Sequence, residues 1–318
     1  LEKKADNVKI TGEIRYHYAD TDDDFDGWEN KLRTRIWVNG QVNDDWSYTG
    51  MIENNQDFKD DAGNEDTKFQ RAYVNGKLGG VKVQAGRYNL KFADGNIYDT
   101  RFDGVQASYG KDVKLTVGYG KATPSSTISR KLNIDGKSPN ASLWMDSDEV
   151  YYAELAGKMG KLGLSAGYFD ASDVEVLGAK GAVKASEDMA VWNVAADYAF
   201  DKNVKLGAMY LMGEDEYDNI KGIDDDGYVV TASYKGAKAS DPGSWGLVAK
   251  YYDQGATTYM DHTMNGVADK MYGFEGYSVF ANYTFAKNIV GQVEWYDLEE
   301  KEGNKEAQTI WSQLLFTF

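Results

Sequence analysis

The chain has 318 residues, a formal net charge of -16 at pH 7 and no cysteine. The acidic balance argues against a nucleic-acid-binding surface, and the lack of thiols excludes disulfides and thiolate metal sites. The 34 glycines and 23 tyrosines, against 3 prolines, favour strands joined by glycine-rich turns over helices. Mean hydropathy is -0.59, and no apolar run is long enough for a membrane-spanning helix.

Alternating polar and apolar residues, the period of a strand with two different faces, begin at residue 8. Residues 8–19 place Val8 and Ile10 on one face and Lys9 and Arg15 on the other. Fifteen further segments repeat this pattern, so the sequence predicts sixteen strands. The later segments are 31–42, 46–56, 67–78, 81–86, 102–110, 113–121, 149–158, 162–169, 190–200, 204–212, 227–235, 244–253, 276–286, 289–297 and 307–318.

The connections between these segments alternate in length. Short turns fall at 43–45, 79–80, 110–112, 158–161, 201–203, 236–243 and 287–288. Long loops fall at 20–30, 57–66, 87–101, 122–148, 170–188, 213–226, 254–275 and 298–306. Outer-membrane barrels have short turns at the periplasmic end and long loops at the external end. We therefore predict an all-β fold, a closed antiparallel transmembrane β-barrel with short periplasmic turns and long extracellular loops.

Outward-facing aromatic residues collect at two heights along the predicted strands. One group lies beside the short turns and ends with Phe316 and Phe318, and the other, which includes Tyr119 and Trp295, lies near the long loops. Rings gathered at one height are typical of the belts that form at membrane interfaces. We predict that Phe316 and Phe318 are the carboxy-terminal signal that barrel-assembly machinery recognises.

A barrel of about sixteen strands is too wide to be filled by its own side chains and leaves an aqueous channel. Four arginines on the inward faces of neighbouring strands lie near mid-strand and predict a basic wall at a pore constriction. These arginines are Arg15, Arg33, Arg35 and Arg71. The third long loop, about 87–101, is expected to fold inward and to present carboxylates opposite the wall. The acidic residues in and beside it are Asp94, Asp99 and Asp103.

Two phrases and the terminal Phe318 resemble the general bacterial porins, which are trimeric, 16-stranded outer-membrane channels. The phrases are "FQRAYVNGKLGGVKVQAGRY", from Phe69 to Tyr88, and "RFDGVQASYG", from Arg101 to Gly110. The resemblance covers essentially the whole chain and implies an inward-folded third loop, a facing basic wall and passive diffusion of small hydrophilic solutes. The chain departs from the family by lacking the Pro-Glu-Phe-Gly-Gly type of phrase in that loop.

The resemblance also implies a location and partners. We expect the outer membrane of a Gram-negative-type envelope, contact with outer-membrane lipid and lipopolysaccharide, and a homotrimer. We expect no cofactor and no enzymatic activity. His17 and His262 are the only histidines, so few residues could serve as the base of a Ser-His catalytic pair. The carboxylates of Asp224, Asp225 and Asp226 are expected to bind divalent cations weakly, if at all, from an external loop.

Residues 8–318 are predicted to be the barrel, and residues 1–7, "LEKKADN", a periplasmic leader or the end of an upstream linker. This start is similar to the OmpM-like porins, which carry an S-layer-homology domain and a coiled coil ahead of the barrel. That resemblance implies a link to peptidoglycan or another cell-wall polymer, with a disordered leader as the alternative. A cell-wall tether whose barrel conducts is therefore one alternative function.

A sugar- or substrate-specific channel is the other alternative. Seven aromatic residues face inward in the predicted strands, and a line of rings could guide sugar rings through the lumen. They are Trp37, Tyr73, Tyr88, Tyr152, Tyr252, Tyr296 and Trp311. Ordinary packing under inward loops explains the same residues.

Overall fold

The computed structural model describes residues 7–59, 66–123, 129–132, 141–144, 147, 149–177, 183–213 and 224–318, so the expectation for the leader lies outside it apart from Asn7. The described residues form eighteen strands and two short 3-10 helices, Ala93–Gly95 and Ala268–Lys270. The strands are β1 (Val8–Asp23), β2 (Gly27–Gln41), β3 (Ser47–Asp57), β4 (Asp66–Leu78), β5 (Val81–Phe92), β6 (Tyr98–Gly110), β7 (Val113–Ala122), β8 (Ser129–Leu132), β9 (Ala141–Trp144), β10 (Glu149–Met159), β11 (Leu162–Leu177), β12 (Val183–Ala199), β13 (Val204–Gly213), β14 (Asp226–Lys235), β15 (Trp245–Gln254), β16 (Phe274–Ala286), β17 (Ile289–Glu300) and β18 (Glu306–Thr317). None of the helices in these ranges is long and apolar enough to cross a membrane.

Sixteen of the strands close into one antiparallel barrel, which confirms the predicted fold class. Consecutive barrel strands pair with each other, β7 pairs with β10, and β18 closes the ring against β1. At this seam the backbone groups of Gly12 and Phe318 exchange two hydrogen bonds, of 2.8 and 2.9 Å. Because each of the sixteen strands has two neighbours, the backbone groups of the wall are paired without water.

Two further strands and a long hairpin extend the wall at the end opposite the short turns. β8 and β9 form a hairpin between β7 and β10, and β9 also pairs with the last residues of β11. β11 and β12 run beyond the expected segments 162–169 and 190–200 as far as the pair Leu177 and Val183. Most of the loop expected at 170–188 is therefore strand. Beyond the bilayer both faces of a strand meet water, so the apolar alternation that marks a wall strand is not required there.

The outer surface carries the two predicted aromatic belts. Tyr119 and Tyr151 lie 5.1 Å apart between ring centroids, and Tyr168 and Trp192 lie 4.4 Å apart, near the long-loop end. Tyr198, Phe200, Tyr234, Tyr283, Phe285, Phe316 and Phe318 lie near the short-turn end, with side chains exposed on the outer face. The belts bound a surface of aliphatic side chains, as a lipid-facing wall requires.

The third loop is a strand hairpin rather than the irregular loop expected at 87–101. β5 leaves β4 after the pair Ala72 and Arg87, and β6 leaves β7 above Phe102. Beyond these points β5 and β6 continue as a pair up to Phe92 and Tyr98, and residues 93–97 make the turn. The chain therefore projects a two-stranded arm from the wall, about 17 Å long before its turn at the usual rise per residue.

The seam between β1 and β18 depends on a glycine. A Cβ atom at Gly12 would lie 2.3 Å from Cζ of Phe318, whose ring covers that position. We expect Gly12→Val to displace the ring and to destabilise the closed barrel by about 1–3 kcal/mol, the usual range for overpacking. The measurement is the temperature at which the folded, fast-migrating form is lost in semi-native electrophoresis.

Gly40→Val on the neighbouring strand β2 is the matched control, because a Cβ there meets nothing within 4 Å. It should leave the transition temperature unchanged. Equal transition temperatures for the two variants would show that the Phe318 ring does not constrain the seam.

Candidate functional site

The β5–β6 arm crosses the barrel interior and reaches the opposite wall. Asn96 at its tip donates from Nδ2 toward Sδ of Met209 on β13, at 3.5 Å. Asp94 lies 4.0 Å from Nζ of Lys250 on β15. Ile97 and Tyr98 are fully buried. The arm therefore divides the lumen into two parts.

A second segment, residues 255–273 between β15 and β16, folds into the lumen and joins the arm. Met260 N–H donates to the carbonyl of Ile97 at 2.8 Å, Thr263 N–H donates to that of Gly95 at 2.9 Å, and Asp99 N–H donates to that of Asp261 at 2.9 Å. These bonds add the segment to the edge of the hairpin like a third strand. We call residues 88–101 and 255–273 together the luminal insert.

The part of the lumen beside β7 and β10–β12 is filled by an aromatic core. Phe92 on the arm packs at 5.7 Å from Tyr152 and at 5.6 Å from Phe169, and Tyr98 stacks on Phe169 at 5.7 Å. Tyr88 and Tyr152 also share a hydrogen bond of 3.0 Å between their hydroxyls. Rings at these separations are packed as in a soluble core. These rings narrow this part of the lumen.

The other part of the lumen is bounded by β1–β4. The four predicted arginines lie close together on this part of the wall. Arg15 and Arg33 are directly opposite in the β1–β2 register, and Arg33 and Arg35 are two residues apart. Glu13 accepts from Arg33 at 2.9 Å and from Arg35 at 3.3 Å. Glu53 accepts from Nε of Arg35 at 2.6 Å. The wall is thus a mixed ladder in which four guanidinium groups face two carboxylates.

Arg71 connects this wall to the luminal insert. Its Nη2 donates to Oδ1 of Asn89 at 2.6 Å, and Nδ2 of Asn89 donates to Oδ1 of Asp99 at 2.7 Å. The hydroxyl of Thr263 donates to the other oxygen of Asp99 at 2.5 Å. The chain of bonds holds one acidic group on the insert at the edge of the arginine-lined opening.

The three predicted loop carboxylates occupy three different places. Asp99 faces the arginine wall through Asn89, as just described. Asp94 instead pairs with Lys91 at 3.4 Å and lies near Lys250, on the far side of the arm. Asp103 alternates with the inward Phe102, lies on the outer surface and holds Arg87 at 2.5 and 2.6 Å. The expectation that Asp103 lies at the constriction is therefore wrong. Asp103 belongs to the part of β6 that forms the wall, and its side chain is on the outward face.

Sequence reasoning missed the second inward segment, which it took for an external loop at 254–275. The signal available was composition, since residues 255–273 contain Met260, Met264, Met271 and Tyr259, all buried. An external loop would not need so many apolar side chains. It also missed the polar links Asn89 and Thr263, which have no distinctive pattern in the sequence.

The expected cation-binding carboxylates lie at the external rim. Oxygen atoms of Asp224, Asp225 and Asp226 lie within 4.8 Å of one another. Nζ of Lys301 lies 2.5 Å from Asp224 and also pairs with Asp253. Burial alone would lower the pKa of Lys301, but the two carboxylates outweigh it, and the pKa is raised above its ordinary value. The protein's own ammonium group thus neutralises part of this cluster, and cation binding stays a prediction.

Solved structures with the same fold include porins and another outer membrane protein. A Salmonella typhi OmpF in complex with daunomycin is 13% identical, with a TM-score of 0.61 over 98% of this chain and 97% of that one. A mutant Rh. blastica porin is 14% identical, with a TM-score of 0.56 over 98% of this chain and 100% of that one. A loop L8 deletion mutant of OmpT, an outer membrane protein of Vibrio cholerae, is 16% identical, with a TM-score of 0.61 over 98% and 99%.

No family model and no curated protein matches the sequence. The likeness to porins therefore lies in the fold and spans the chain from end to end, whereas few individual residues are shared.

The second inward segment generates a prediction about the size of the opening. Replacing residues 257–270 with a short glycine-serine linker should raise single-channel conductance by roughly twofold or more, because conductance follows the open cross-section. The measurement is the step size in planar bilayers. Shortening the turn from Lys238 to Asp241, which lies at the short-turn end, is the control and should leave the step size unchanged. Equal step sizes would mean that the segment does not restrict the opening.

Proposed function

We propose that the protein is an outer-membrane porin, a water-filled channel for passive diffusion of small hydrophilic solutes and ions. The observation that carries the proposal is a closed sixteen-stranded barrel, apolar outside, whose interior keeps a charged opening beside the luminal insert. A closed barrel is stable in lipid, and a polar luminal wall is what a water-filled path requires. No enzymatic step is part of the proposal.

The charges of the opening favour anions over cations to a mild degree. Four arginines outnumber Glu13 and Glu53 on the wall, and Asp99 contributes one further negative charge from the insert. The side chains of Arg33 and Arg35 are 14% and 22% exposed, so they meet water in the lumen rather than being sealed off. Fixed charges around a narrow opening set its ion preference.

A general pore fits the structure better than a sugar-specific channel. Of the seven inward aromatic residues, four are 1–3% exposed and packed within or against the luminal insert. These four are Tyr88, Tyr152, Tyr252 and Tyr296. A line of rings for sugars would need them in contact with the solute path, and Trp37, Tyr73 and Trp311 alone do not make one. The hypothesis of a cell-wall tether is not supported by any residue of the barrel. We therefore propose the diffusion pore.

The constriction is tested by removing the most heavily paired arginine. Arg35→Ala should leave Glu13 and Glu53 without their shared partner and shift the reversal potential in a salt gradient toward cation selectivity. Lys202→Ala removes the same charge from an exposed short turn and is the control. An unchanged reversal potential for Arg35→Ala, or an equal shift for both variants, would place the constriction elsewhere.

We further propose that the barrel stands in the outer membrane, against lipid and lipopolysaccharide, as a homotrimer. The belt near the long loops runs over β7 and β10–β17 and continues as Tyr18 and Trp28 on β1 and β2, whose rings are 6.3 Å apart. On β3–β6 the outward positions toward the same end carry one ring, Phe69, and are otherwise mostly polar. The polar residues are Asn54, Gln56, Thr67, Arg87 and Asp103. Interfacial rings mark contact with lipid, so a sector that is poor in them supports contact with protein.

The polar sector generates a prediction about assembly. Arg87→Glu places a second carboxylate beside Asp103 and should lower the association constant of the trimer about tenfold, equivalent to about 1.4 kcal/mol. Native mass spectrometry in mild detergent measures the trimer fraction. Tyr277→Glu, in the aromatic belt, is the control that adds one carboxylate to the lipid-facing side. Loss of trimer in the control alone would put the interface on the opposite sector.

A further inference from the structure

We propose that Arg15 and Arg33 hold a small oxyanion, a carboxylate or a phosphate, at the constriction. The proposal rests on the function proposed above and adds a binding step to it. The observation that carries it is that these two guanidinium groups, alone among the four of the wall, keep buried N–H donors that have no acceptor among the described residues.

The two arginines form a facing pair. Arg15 on β1 and Arg33 on β2 are direct register partners on the luminal face, and side chains so placed have Cβ atoms about 4.5–5.5 Å apart. Like charges at this spacing repel each other. A bound anion between them would turn the repulsion into two attractions.

The hydrogen-bond donors of the pair are incompletely used. Among the residues that the structure describes, no carboxylate or carbonyl accepts from Arg15, and its Nε is buried without a partner. Arg33 donates from Nη2 to Glu13 at 2.9 Å, while its Nε is buried and unpaired. Arg35 differs because it is bonded to both Glu13 and Glu53. Buried charged donors without acceptors are costly and are expected to receive a ligand atom.

An aromatic platform orients the Arg15 guanidinium. Its Cζ lies 5.3 Å from the centroid of the Trp311 ring. His17 stacks on the same indole at 4.1 Å with an interplanar angle of 15°, and Trp311 donates from Nε1 to Gln313 at 3.3 Å. A cation–π contact uses the face of the guanidinium and leaves its N–H edge available for an acceptor. The platform holds Arg15 in place without consuming its donors.

The donor pattern selects the class of ligand. A guanidinium group presents parallel N–H donors that match two oxygens of one carboxylate or phosphate. Chloride is a single spherical acceptor, so two parallel N–H donors must converge on one atom instead of each meeting its own oxygen. We therefore expect an oxyanion to be retained at the pair and chloride to pass with little retention.

The test measures binding and conduction separately on the full chain. Inorganic phosphate and acetate are titrated into detergent-solubilised protein by calorimetry, and single-channel current is recorded in phosphate, acetate and chloride salts. We expect saturable heat and a saturating current with at least one of the two oxyanions, and a current linear in concentration with chloride. Saturation with phosphate alone or with acetate alone would identify which oxyanion the pair prefers.

Variants assign the effect to the pair. Arg15→Gln should raise the half-saturation concentration about tenfold or more, since it removes a charge-assisted bidentate partner. Arg15→Lys keeps the charge but loses the fork and should lie between Arg15→Gln and the unmodified protein. Lys9→Gln, an inward change on the same strand near its start, removes the same charge and should shift the value less than twofold.

The outcomes separate the two proposals. Current that stays linear in all three salts, with no heat of binding, overturns the oxyanion site while the porin stands. Saturable heat without any current overturns the porin and keeps the site. An equal effect of Arg15→Gln and Lys9→Gln overturns the assignment to Arg15 and Arg33 and leaves only a general electrostatic attraction. Retention of the folded barrel in each variant is checked by semi-native electrophoresis.

Discussion

Every backbone group that faces lipid must find its partner within the wall, and the seam between β1 and β18 is where the ring meets that requirement. The last hydrogen bonds of the seam join the backbone groups of Gly12 and Phe318, so Phe318 takes part in closing the barrel. Closure sets the parity of each wall strand, and parity decides which side chains meet lipid and which meet the lumen. The arginine wall exists because the strands that carry it are held in one register with their neighbours.

The arrangement of the interior follows from one feature, the point at which β5 and β6 leave the wall. The arm they form has two faces of opposite character. Phe92 and Tyr98 on one face pack into the aromatic core, whereas Asn89 and Asp99 on the other face the arginines. The amphipathic hairpin thus packs into one part of the lumen and lines the other. The position of the charged opening therefore depends on the hairpin as well as on the arginines.

The sequence predicted the barrel and the arginine wall because both follow from a period of two that repeats along the chain. Arg15, Arg33 and Arg35 were assigned to the lumen from parity alone, and the register puts all three on one face of β1 and β2. What parity could not supply is where a strand leaves the wall. Asp103 and Asp94 lie close in sequence, yet one is on the outer surface and the other is at the tip of an arm across the lumen. The inward path of residues 255–273 was likewise unpredictable, because it depends on bonds to the carbonyls of Gly95 and Ile97 far away in sequence.

The aromatic core inside the barrel has a consequence for how the protein holds together. Most of a wide barrel's stability comes from its lipid-facing wall, whose apolar surface is matched to the bilayer rather than hidden from water. Here Tyr88, Phe102, Tyr152 and Phe169 are also removed from water on the inside, by the same hydrophobic effect that folds a soluble domain. The arm is therefore anchored inside the barrel by a packed apolar layer as well as by its backbone hydrogen bonds. Its position contributes to the same buried core that stabilises the barrel, so a change at the arm is also a change in stability.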